Sequence, residues 1–154
     1  MVRDSGQRKL TYSSQNHCTS TLRSGRRKTI VSQTMCAPAE RLSQSEIVCI
    51  DESILPEDTT FGVRISGDSM EPEFHDGQIA WVLQQESVAN GEIGIFALNG
   101  EAYIKKLQND TDGTFLISLN EKYAPIKVSE NDHLDIFGKV LGKSDASAIT
   151  GHYR

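Results

Sequence analysis

Residues 46–143 predict a mostly β domain, on three observations. From Glu46 onward, short apolar runs rich in β-branched and aromatic residues alternate with turn signals, each run too short to be a helix. Two of these runs flank Asn99-Gly100, a two-residue loop sequence that favours positive φ and is a strong short-range hairpin signal. Beyond a short stretch near Ser43, no segment carries convincing helical amphipathicity.

Taken in order, residues 1–30 are dominated by Ser, Thr, Arg, Lys, Gln and Asn, the composition of a disordered basic tail. They hold seven Lys/Arg against the single acid Asp4, leaving nine basic and twenty acidic residues beyond them. Such an arm could meet nucleic acid through phosphates, but it has neither a helix-turn-helix pattern nor interleaved aromatics, so a solvated tail is the simpler expectation. Residues 31–45 form a polar linker interrupted by the small-residue patch Met35-Cys36-Ala37-Pro38-Ala39. Small side chains on extended backbone are what a protease cleft accepts, which makes Cys36, Ala37 and Pro38 the candidate cleavage site.

The strands expected next are Ile47–Ile50, Phe61–Ile65, Gln78–Leu83, Glu92–Leu98, Glu101–Leu107, Thr114–Leu119, Ile126–Val128 and Leu134–Leu141. Turn signals separate them at Leu55-Pro56-Glu57-Asp58, His75-Asp76-Gly77, Asn90-Gly91, Asn99-Gly100 and Asp110 to Gly113. Residues 144–154 are small and polar, a flexible C-terminal tail.

No window approaches the ~18 apolar residues of a membrane span, and the basic start lacks the apolar stretch of a secretory signal. A cytoplasmic protein is the expectation. Cys18, Cys36 and Cys49 are odd in number and lack paired spacing, so reduced thiols are expected, with no metal site and no cofactor.

Chemistry gathers at Ser66-Gly67-Asp68-Ser69-Met70-Glu71-Pro72, a polar turn following a β-branched run and ended by proline. Serine is inert as a nucleophile without a base in hydrogen-bond reach. His75 lies only six residues on, and His17, His133 and His152 fall in tails or a polar turn, so all four histidines are expected at the surface. Lys105 is the better base. Strand alternation in Tyr103-Ile104-Lys105-Lys106-Leu107 sets it on one face with Tyr103 and Leu107. A lysine desolvated there has its ammonium form disfavoured and can take a hydroxyl proton. Backbone N–H groups of Ser69 and of Asp68 or Met70 would stabilise the oxyanion, while Gly67 would let backbone approach the substrate.

The motifs Ser66 to Pro72, His75-Asp76-Gly77, Asn90-Gly91-Glu92-Ile93, Glu101 to Leu107, Ser118-Leu119-Asn120, Tyr123-Ala124-Pro125-Ile126 and Ile136 to Val140 together resemble the C-terminal domain of the LexA, UmuD and phage-repressor group of self-cleaving serine peptidases. The resemblance covers residues 46–143 in order. It implies compact, strongly bent antiparallel sheets, a Ser69–Lys105 dyad, a homodimer, and cutting of the chain's own linker when RecA on single-stranded DNA favours the cleavable form. Bacterial signal peptidases share the Ser-Met turn and the dyad but are membrane-anchored. Two departures stand out. The group is usually cut at Ala-Gly or Cys-Gly, whereas this linker offers Cys36-Ala37-Pro38. Its repressors also carry a helix-turn-helix, and residues 1–45 hold no convincing pair of amphipathic helices, which leaves DNA binding open: a UmuD-like short form, or a DNA-binding half lost or replaced.

Overall fold

The computed structural model of the chain describes residues 27–34 and 45–153. Ten strands make up the described architecture: β1 (Arg27–Thr34), β2 (Ser45–Asp51), β3 (Phe61–Arg64), β4 (Ile79–Gln84), β5 (Ile93–Leu98), β6 (Glu101–Asp110), β7 (Gly113–Ile117), β8 (Ile126–Val128), β9 (Leu134–Ser144) and β10 (Ile149–Tyr153). They form one curled sheet in the order β10-β2-β1-β3-β4-β9-β5-β6-β7-β8. Neighbours are antiparallel except β1 and β3, which run parallel. The mostly β, bent antiparallel class expected from the sequence is therefore the class observed.

Local chemistry explains the clearest hairpin. Asn99 and Gly100 take φ of 51° and 86°, the positive values that their loop demands, and this fixes β5 against β6 with Gly94 opposite Lys105. Strands β4 and β5 bury both faces, which is why they read as near-continuous apolar runs; β6 buries Ile104 on one face and Lys105 and Leu107 on the other. One core joins Phe61, Val63, Ile65, Met70, Phe74, Ala80, Val82, Ile95 and Ile104. The opposite face of β4 sends Ile79 and Trp81 to pack with Ile50. The Trp81 indole N–H donates to Ser144 Oγ at 2.8 Å, satisfying its polar edge. A third core collects Val88, Phe96, Leu98, Leu107 and Leu116.

The structure differs from the sequence expectation at both ends of the domain. Strand β1 crosses the boundary expected at residue 30 and pairs with β2 from Arg27↔Asp51 to Gln33↔Ser45. Strand β10 lies where a flexible tail was expected, paired with β2. Both are polar or mixed segments whose strand character comes from the partner edge rather than from their own composition. The Ser43 stretch and the Cys36-Ala37-Pro38 patch lie outside the described residues, as do Cys18 and His17.

The curl depends on β9, which pairs with β5 through its first half and β4 through its second. The hand-over occurs at Gly138, paired to Ile95 on one side and Gln84 on the other, with ladder irregularities nearby. A Cβ at Gly138 would sit 2.3 Å from the Leu83 carbonyl oxygen and 2.7 Å from Val82 Cγ1. Backbone cannot yield cheaply there, so Gly138→Ala should lower stability by about 2–3 kcal/mol, as over-packing does. Chemical denaturation with an unchanged m-value would show it; a loss below ~0.5 kcal/mol would mean that the strands part more easily than this geometry implies.

Candidate active site

The serine turn is held at both ends. Strand β3 continues beyond Arg64 through Ile65, whose N–H donates to the Gln78 carbonyl while its own carbonyl accepts from Gly77 N–H, each at 2.8 Å. Gly67 then adopts φ +92°, and its N–H donates to Asp76 Oδ1 at 2.7 Å. On the far side, Met70 is 1% exposed and Phe74 4%, both sunk in the first core. Phe74 N–H donates to the Met70 carbonyl at 2.9 Å and Glu71 N–H to the Asp68 carbonyl at 3.2 Å, winding residues 68–74 into helix-like turns. Met70 thus anchors the turn from below, and Ser69 stands one residue before that anchor.

The lysine arrives from β6. Ile104 enters the first core, whereas Tyr103 and Leu107 pack with the third, so alternation places Lys105 on the Tyr103–Leu107 face as the sequence predicts. Lys105 is 5% exposed, and its Nζ lies 2.6 Å from Ser69 Oγ. Among the described residues, no carboxylate lies within ion-pair distance of it. Burial pushes its pKa down to about 8 from the ordinary 10.5. The Tyr103 ring centroid is 5.7 Å from Nζ, and the phenol is occupied by Glu101, a bond that with burial raises the Tyr103 pKa to about 12. A buried amine without a counter-ion, touching a hydroxyl, is chemically able to accept that hydroxyl's proton.

Of the backbone donors at the turn, Gly67 N–H is committed to Asp76 and Asp68 N–H to its own carboxylate, while those of Ser69 and Met70 have no acceptor among the described residues. The Asp68 carboxylate is gripped by Lys122 Nζ at 2.6 Å and by the Tyr123 hydroxyl. These two partners hold the acid below the usual carboxylate range. Asn120 reaches the turn twice, its N–H donating to the Ser69 carbonyl at 3.0 Å and its Nδ2 to the Asp68 carbonyl at 2.9 Å. Sequence reading assigns no role to Asp76, Asn120, Lys122 or Tyr123, although Asp76, Asn120 and Tyr123 stand in motifs that carry the resemblance and Lys122 lies between two of them. Their partners are nine or more residues away, so only the motif context could have flagged them.

His75 is exposed beside Glu71 and His133 is exposed beside Asp135. Among the described residues no His, Cys, Asp and Glu side chains are grouped to hold a metal ion, and no helix is long and apolar enough to cross a membrane.

Comparison with known proteins bears on this geometry. The LexA repressor of Carboxydothermus hydrogenoformans is 41% identical over 96 residues, covering 60% of this chain and 46% of that protein. The LexA repressor of Oleidesulfovibrio alaskensis is 33% identical over 97 residues, 62% of this chain and 47% of that one. The LexA repressor of Leptospira interrogans is 32% identical over 105 residues, with shares of 68% and 50%. The chain therefore spans about half the length of the curated relatives it matches. The model of the family described as Peptidase S24-like matches residues 29–141, a span that holds β2 to β8, most of β1 and β9, and both partners of the 2.6 Å contact. With most of its length so matched, the chain belongs to the Peptidase S24-like family.

Proposed function

We propose that this chain is the self-cleaving serine peptidase domain of a LexA-type repressor, cutting its own linker with a Ser69–Lys105 dyad. The observation that carries the reading is the 2.6 Å approach of Lys105 Nζ to Ser69 Oγ by an amine buried without a counter-ion. Ser69 Oγ attacks a peptide carbonyl carbon as Lys105 Nζ takes the hydroxyl proton, and backbone N–H groups of the turn receive the oxyanion. The C–N bond breaks, the departing amine takes that proton from Lys105, and an ester to Ser69 remains. Water, losing a proton to Lys105, then hydrolyses the ester and restores the serine.

The parallel pairing of β1 with β3 supports a substrate supplied in cis. Ser32↔Gly62, Gln33↔Val63 and Thr34↔Arg64 run in the same direction, so β1 ends beside the strand that leads into Ser69. The segment joining β1 to β2 holds Cys36, Ala37 and Pro38. Covalent attachment at that end gives a high effective concentration of substrate. Cys36–Ala37 is the favoured scissile bond, because proline after Ala37 would remove the leaving-group N–H and fix φ. In this reading the protein works in the cytoplasm as a homodimer, and RecA on single-stranded DNA accelerates the cut. Pro38 favours a second reading, a regulatory dimerisation module whose cutting is vestigial. Cleavage in trans of a supplied Ala-Gly peptide decides for the enzyme, and dimerisation without cleavage under any condition decides for the module.

Mass spectrometry of the incubated full chain tests the first reading. A cut within residues 31–45 should appear at alkaline pH and fall by more than ~10³-fold in both Ser69→Ala and Lys105→Ala. Persistence in either variant would eliminate the dyad. Since the neutral amine is the base, the rate should climb through about pH 8 and level off above it.

Stability should carry the same signature with a defined sign. The folded pKa of Lys105 is depressed, so below about 8 the fold bears the full penalty of a buried charge. As pH rises from there towards the ordinary 10.5, the unfolded chain holds a proton that the fold lacks, and stability increases. Lys105→Met should therefore stabilise the protein by about 3 kcal/mol at pH 6–7, with the gain vanishing above pH ~10.5. Denaturant midpoints across that range provide the check.

A further inference from the structure

Asn120 touches the backbone of the serine turn and not the two side chains of the dyad, and its two contacts have a specific geometric effect. Its side-chain Nδ2 donates to the carbonyl of Asp68 at 2.9 Å, and its own N–H donates to the carbonyl of Ser69 at 3.0 Å. These carbonyls belong to successive peptide units, 68–69 and 69–70, both trans. In a planar trans peptide the N–H points opposite to the C=O. Holding both carbonyls towards one residue therefore turns the N–H groups of Ser69 and Met70 together towards the other side, and neither has an acceptor among the described residues.

We propose that Asn120 is a positioning residue for the reaction, fixing the peptide planes of 68–69 and 69–70 so that the N–H groups of Ser69 and Met70 converge on the oxygen that becomes negative. This rests on the peptidase reading of Ser69 and Lys105. Successive N–H groups aimed the same way form a concave donor pair suited to an anionic oxygen. The Asn120 amide is itself steered: its Oδ1 accepts the N–H of Lys122 at 3.1 Å, which sets Nδ2 facing Asp68. Side chain and main chain of one residue thus act on two adjacent planes. The neighbouring grip of Lys122 and Tyr123 on the Asp68 carboxylate is more exposed and acts on a side chain instead of a peptide plane. Exposed pairs of that sort contribute little.

The test uses the full chain and a fluorophosphonate probe. Ser69 Oγ would bond to phosphorus as fluoride leaves, the hydroxyl proton passing to Lys105, and the phosphoryl oxygen would draw on the same N–H groups. Labelling at Ser69 is followed by mass against pH, beside self-cleavage. Wild type that is neither labelled nor cut, under conditions where Ser69→Ala is equally silent, would overturn the peptidase reading and this proposal with it. With wild type active, Asn120→Ala should lower the plateau rate at least about tenfold, towards the ~10²-fold of a lost oxyanion donor, while the pH midpoint stays near 8. Asn120→Asp keeps an acceptor for Lys122 N–H but sets a carboxylate oxygen against the Asp68 carbonyl. It should retain the wild-type melting temperature and still lose the rate. Lys122→Ala and Tyr123→Phe should each change the plateau less than about threefold. An Asn120→Ala plateau within threefold of wild type would overturn the proposal alone. So would a loss expressed only as a shifted midpoint, because that would mean Asn120 acts through the lysine.

Discussion

A lysine kept inside a β-sheet core without a counter-charge is the constraint on which the site depends. Water would hold Lys105 protonated, and a neighbouring carboxylate would do so more firmly; β6 supplies neither, because its flanks Ile104 and Leu107 enter two separate cores. The penalty is tolerable because β4, β5 and β6 bury apolar side chains on both faces. It is useful because, among the described residues, the polar group within hydrogen-bond distance of Nζ is a serine hydroxyl at 2.6 Å. The burial that lowers the lysine's pKa and its contact with the hydroxyl follow from one placement.

The two partners are positioned by different means. Lys105 is fixed by strand register, set by the positive-φ pair Asn99 and Gly100 five residues away. Ser69 is fixed by a turn that no ladder holds, and so needs ties from several directions: Asp76 on Gly67, Met70 and Phe74 in the core, Asn120 on two carbonyls. A strand position needs few dedicated contacts, whereas a turn needs many.

That division explains what was legible in the sequence. Alternation within one strand is a local signal, so Lys105 could be assigned a buried face from Tyr103 and Leu107 alone. The Asn-Gly loop and the order of the apolar runs are local as well. The ties on the turn are not: Asn120 and Lys122 meet Asp68 across 52 and 54 residues, and nothing in their own neighbourhood announces the partner. Strands β1 and β10 escaped for a related reason, since a polar segment becomes a strand only when an edge is available to receive it.

The position of β1 has a consequence for how long a broken chain stays in one piece. It lies between β2 and β3, paired over Arg27–Gln33 on one side and Ser32–Thr34 on the other. A nick in the segment after Thr34 would sever the covalent path and leave these hydrogen bonds in place. The upstream fragment would then depart only by peeling a central strand from its two neighbours, a slow, temperature-sensitive event with its own barrier. Bond scission and fragment release would be separate clocks, and the lifetime of the nicked complex, set by the sheet, would govern how promptly a cut is felt elsewhere.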